Sequence, residues 1–80
     1  MFVLNSTSSK FLIGKSVIIV KPYTNGQIKL QSGDKGLITG AHLMSIPDMG
    51  LFNIRIIEVS FGTKTINLSD VIAEEYMEII

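Results

Sequence analysis

Cysteine is absent from the 80-residue chain. That excludes disulfides and thiolate metal sites as supports for the fold, and it leaves no thiol redox chemistry to read. A reducing, cytoplasmic setting is the expectation that accompanies such an absence. Histidine occurs once, as His42, and a lone imidazole makes neither a metal site nor a catalytic base without fixed partners. The next acid along the chain, Asp48, lies across a loop. No apolar run approaches the ~20 residues a membrane-spanning helix needs. Met1-Phe2-Val3-Leu4 is too short for a signal-peptide core and has no positive residue ahead of it. The expected protein is soluble and unprocessed, with no membrane partner.

Catalytic signatures are missing as well. There is no Ser-His-Asp order, no acidic metal-binding loop and no Walker-type glycine run. Gly33-Asp34-Lys35-Gly36 is too short to cradle a phosphate and leads into a strand instead of a helix. The chain therefore reads as non-enzymatic, with no cofactor implied.

Net charge is zero, from seven basic and seven acidic residues, which denies the chain long-range attraction to phosphate. The charges are nevertheless unevenly spread. Residues 1–40 carry five lysines against Asp34 alone, a balance of +4, and residues 41–80 carry −4. A compact fold would interleave the two halves.

Against these absences stands a hydrophobic content of 46% with a mean hydropathy of +0.42, ample for one small globular domain. The organising stretch is Ser32-Gly33-Asp34-Lys35-Gly36-Leu37-Ile38-Thr39-Gly40. Two glycines around Asp-Lys predict a tight reversal at positive φ, followed at once by strand. On that reading Asp34 tolerates alanine, whereas Gly36 does not tolerate valine.

An apolar lead, Phe2-Val3-Leu4, and a polar connector occupy residues 1–10; the lead either adds an edge strand or stays mobile. The apolar pattern resumes at Phe11-Leu12-Ile13. Val17-Ile18-Ile19-Val20 reads as a strand buried on both faces. Asn25-Gly26 predicts a hairpin, with Ile28 and Leu30 facing in. Leu37 to Leu43 is the next strand, with a bulge or bend at Gly40, and residues 44–50 read as a loop. In the strand over 52–61 the apolar face moves from Phe52/Ile54/Ile56 to Ile57/Val59/Phe61, which predicts an extra residue near Ile56-Ile57. Gly62-Thr63 turns into a strand with Ile66 and Leu68 inward. Ser69 caps one helical turn, and residues 76–80 close the chain as a strand.

This order resembles the SH3-like barrel superfamily. The matching residues are Gly14-Lys15-Ser16-Val17-Ile18-Ile19-Val20, Gly33-Asp34-Lys35-Gly36-Leu37-Ile38, Phe61-Gly62 and Leu68-Ser69-Asp70-Val71-Ile72. The first two pieces look like the KOW motif of ribosomal and transcription-elongation proteins, and the whole order is similar to the stand-alone barrel found in photosystem I. The resemblance implies an all-β, five-stranded barrel over residues 11–80 with one short helical turn before the last strand. The chain departs from KOW proteins in lacking their basic surplus. It also departs from peptide-binding SH3 domains in lacking their aromatic pairs and acidic cluster.

Two surfaces are candidates for function. Met44, Ile46, Met49, Leu51 and Phe52 place adaptable apolar side chains around Pro47, which suits a protein partner or self-association; the alternative is that they fold back to cap the barrel. Lys15, Lys21, Lys29 and Lys35 with Tyr23 form a possible KOW-like basic strip for nucleic acid; the alternative is that they guard strand edges and keep the chain soluble. Glu74, Glu75 and Glu78 read as a solvated acidic rim. The expected protein is a small accessory or regulatory module.

Overall fold

A computed structural model describes residues 7–80; the apolar lead Phe2-Val3-Leu4 lies outside them. Ser9–Leu12 form a single helical turn, α1, where the sequence pattern assigns no element. A turn this short has no stability of its own. Leu12 anchors it, fully buried, while Phe11 and Ile13 face solvent.

β1 (Ser16–Ile19) lies between two antiparallel neighbours, β4 (Lys35–Ile46) and β7 (Met77–Ile79). Its β-branched run is not buried on both faces. Val17 and Ile19 alternate into the core, whereas Ile18 is half-buried and Val20 exposed, because one face of the sheet meets solvent. The Asn25-Gly26 signal yields the expected hairpin of β2 (Tyr23–Asn25) and β3 (Ile28–Leu30), with Gly26 at φ +62.

The glycine-framed turn differs from expectation in its parts. Gly33 takes positive φ, at +99, but Gly36 does not; it is already in β4, opposite Val17. Asp34 closes the turn in both directions. Its carboxylate accepts from the Gln31 N–H at 2.8 Å, and its own N–H donates to the Gln31 carbonyl at 3.0 Å. Asp34→Ala is therefore expected to lose about 0.5–1.5 kcal/mol in urea unfolding, with Asp34→Asn recovering most of it. A neutral alanine variant would show that the backbone alone holds the turn.

β4 runs into the expected loop as far as Ile46, and β5 (Leu51–Phe61) returns after a 3-10 turn at Pro47–Met49 and Gly50 at φ +68. The hairpin is bulged twice. Thr39 is the extra residue between the Ile38–Val59 and Gly40–Glu58 pairs, in β4 beside Gly40. Ser45 faces two residues of β5, Phe52 and Asn53, and Asn53 adopts φ +56. β5 itself pairs with β6 (Lys64–Ser69) without interruption from Ile56 to Phe61, so the extra residue predicted at Ile56-Ile57 is not there. Ile66 and Leu68 point inward as expected.

Ser69 caps α2 (Asp70–Tyr76), accepting from the Ile72 N–H at 3.3 Å. This helix has seven residues, about two turns by the usual geometry instead of one.

The strand order is β6-β5-β4-β1-β7, all antiparallel. β6 and β7 are its two edges, so the expected barrel is not closed. α2 spans the gap, packing against β5, β6 and β7 and burying Ala73; β7, three residues long, pairs with β1 alone among the described residues. The core gathers Leu12, Val17, Ile19, Leu30, Ile38, Ile57, Val59, Ile66, Leu68, Ala73 and Met77 on one face. No helix among the described residues is long and apolar enough to cross a membrane.

Candidate functional site

The β4–β5 hairpin outruns its neighbours. β1 pairs with β4 only through Lys35, Gly36 and Leu37, and β6 reaches no further along β5 than Ile56. Beyond those points, among the described residues, the hairpin is a two-stranded ribbon, and such a ribbon is marginal in water without a third strand or a covering surface.

Cross-strand partners share a face. The pairs Met44–Ile54 and His42–Ile56 therefore lie on the outward face, and Leu43–Arg55 and Ala41–Ile57 on the core side. Five of the twelve exposed large apolar side chains among the described residues fall within positions 43–52, with Leu43 66%, Met49 69% and Phe52 64% accessible. The others are spread over α1, the ends of β1 and β7, the base of β4, and α2. Met44 and Leu51 are also exposed, and Ile46 is half-buried. The five residues predicted as a partner surface are thus brought together at the end of the ribbon. They do not cap the sheet, because the strands carry them beyond it. Leu43, Ile54 and Ile56 extend the surface, and nothing in the sequence pattern assigns them to it. His42 lies exposed on the outward face with no charged residue opposite.

The base of the ribbon is held by Arg55. Its Nε donates to Asp70 Oδ2 at 2.9 Å, and a terminal nitrogen lies 2.9 Å from the same oxygen. The other terminal nitrogen donates to the backbone carbonyl of Thr7. The two charged side chains are 11% and 15% accessible. One cation thus joins the hairpin, the start of α2 and the segment leading to α1. Asp70 also sits where the helix dipole favours negative charge.

The lysines do not form one strip of free cations. Lys21 Nζ binds Glu75 Oε1 at 2.8 Å and lies 5.1 Å from the Tyr76 ring centre. The hydrogen bond to Glu75, and then that carboxylate's charge, hold the Lys21 ammonium above its ordinary value of 10.5. Because the shift is upward, the Lys21 ammonium is charged at neutral pH, and its contribution to the pair is lost as alkali takes it through its raised value. Lys35 and Glu78 both lie opposite Ile18, one from each side, and so share a face. Lys29 stands exposed on the β2–β3 hairpin opposite Thr24, and Lys15 precedes β1. The acidic rim is thereby interleaved with the basic half of the sequence.

Tyr23 and Tyr76 meet edge to face with ring centres 5.0 Å apart. This is an aromatic pair that the sequence order conceals, since the two stand far apart along the chain. No protein-family model, curated protein or solved structure matches the chain.

Proposed function

We propose that this protein is a small non-catalytic interaction module, accessory or regulatory in role, that docks a protein partner through the β4–β5 ribbon. The observation that carries the reading is the concentration of exposed apolar side chains, Leu43, Met44, Met49, Leu51 and Phe52, on a ribbon with no third strand among the described residues. Apolar clusters of this kind are normally covered by another chain, and methionine adapts its shape to a partner. The strand order around β1, with a helix before the last strand, supports reading the scaffold as an SH3-like arrangement left open at one seam. A KOW-like nucleic-acid role has less support, because Lys21 is committed to Glu75 and Lys35 shares its face with Glu78.

Met49→Ser combined with Phe52→Ser tests the reading. Both side chains are exposed, so each change should alter stability by less than about 0.5 kcal/mol. A protein retained from the native host by the wild type should be lost by the double variant. Equal retention by both, at equal melting temperature, would remove the ribbon from the interaction. Binding to nonspecific RNA that collapses with added salt would transfer the function to the lysines.

A further inference from the structure

We propose that the outer edge of β4 pairs antiparallel with β4 of a second copy of this chain, a proposal that rests on the reading of the β4–β5 ribbon as an interaction arm. At the base of this edge, the Gly14 N–H donates to the Ile38 carbonyl and the Ile38 N–H to the Lys15 carbonyl, at 2.8 and 2.9 Å. Beyond that point, among the described residues, no strand lies beside residues 40–46 on the side away from β5. α1 packs against β4, but no described strand takes up the outward-pointing backbone groups of residues 40–46, which leaves them as a template for pairing.

The other edges are guarded. β7 is three residues long and carries Glu78; β6 opens with Lys64. The free part of β5 is broken by the Asn53 bulge and pinned at Arg55. The run Gly40-Ala41-His42-Leu43-Met44-Ser45-Ile46 has no lysine, arginine, aspartate, glutamate or proline. Residues 40–44 hold regular register with β5, so they present a straight edge.

Charge selects the occupant. A strand without formal charge meets its own copy without like-charge repulsion, and two chains of zero net charge approach each other freely. A strongly charged strand would find no counter-charge along this edge. A twofold axis through the edge makes the contact self-complementary and closed. It turns two bare ribbons into one four-stranded sheet, which removes the marginality of each.

The chain has no cysteine, so single cysteines introduced at Ala41, His42, Leu43 and Met44 report the seam directly. Antiparallel pairing predicts a disulfide-linked dimer that forms most readily at the position nearest the axis and declines on either side, since bridging needs Cα atoms within about 7 Å. Sedimentation should give a dimer mass for the native sequence. Leu43→Lys and Met44→Lys should each weaken association at least about tenfold, a difference of roughly 1.4 kcal/mol, without lowering the melting temperature of the dilute protein.

A single-chain mass at the highest attainable concentration, with no positional preference in crosslinking, overturns the proposal. So does a dimer that both lysine variants leave unchanged, or one that crosslinks only through cysteines at Met49 and Phe52. A monomer that still loses a host protein on Met49→Ser/Phe52→Ser ends the second-copy proposal alone, and the arm reading stands.

Discussion

Arg55→Ala is expected to lower stability by about 3 kcal/mol, the lower end for buried pairs, because removing one member of a largely buried ion pair leaves the other without its cation. The alanine leaves the Asp70 side chain, 15% accessible beside Arg55, without that cation, and it removes the guanidinium's hydrogen bond to the Thr7 carbonyl. Domains of this size have only about 0.05–0.15 kcal/mol of stability per residue, so much of the total is at stake. The readout is a fall in melting temperature of more than about 10 °C. Arg55→Lys should recover a part only, since an ammonium cannot present the fork that reaches Asp70 and the Thr7 carbonyl together. The pairing of Arg55→Met with Asp70→Leu should be milder than Arg55→Ala alone, because no charge is left buried. A loss below about 1 kcal/mol would be the behaviour of a solvent-exposed pair and would contradict the geometry. Loosening of the ribbon in Arg55→Ala, seen as faster amide exchange over residues 51–55 than over β1, would follow from the same loss.

Local signals in the sequence are legible wherever one or two residues decide the conformation. Asn25-Gly26 produces its hairpin, Gly62-Thr63 its turn, and Ser69 its cap. Each depends on backbone freedom or a side-chain oxygen at one position, so no distant residue can override it. The change of apolar face along β5 is visible in the sequence too, but its cause is not. Ile54 and Ile56 are apolar where they face outward on the ribbon, opposite Met44 and His42. Alternation alone cannot tell an exposed apolar face from a bulge that turns it inward.

Proline and glycine mark residues 44–50 as loop in the sequence, yet Met44 to Ile46 are strand. Met44, Ile46, Met49, Leu51 and Phe52 still lie near one another, because strand pairing places them at the end of the ribbon. Closure of the sheet is beyond local reading. It depends on whether β6 and β7 meet, and their separation by α2 is a tertiary outcome. The Tyr23–Tyr76 contact and the Arg55–Asp70–Thr7 junction are tertiary in the same sense, joining residues that nothing in the sequence order pairs.

Gly36→Val is expected to destabilise by about 1–3 kcal/mol through overpacking. The reason lies in contact, not in the backbone dihedral that the glycine-rich turn suggests. A Cβ at position 36 would stand 2.7, 2.8 and 2.9 Å from three atoms of the Phe61 ring, closer than carbon atoms pack. Phe61 is half-buried against the core, so the ring moves only by giving up that packing. Gly33 is the internal control. It has φ +99 and nothing within 4 Å of its Cβ position, so a valine there suffers from the backbone alone. The two causes separate in a Phe61→Ala background. There Gly36→Val should lose most of its penalty, since the ring it strikes is gone and a β-branched side chain suits a strand. Gly33→Val should cost the same in both backgrounds. Urea midpoints for the four combinations at position 36 give a coupling energy with Phe61, expected within about 0.5–3 kcal/mol for residues in contact. Zero coupling would mean that the ring yields freely, and the glycine at position 36 would then owe its place to something other than Phe61.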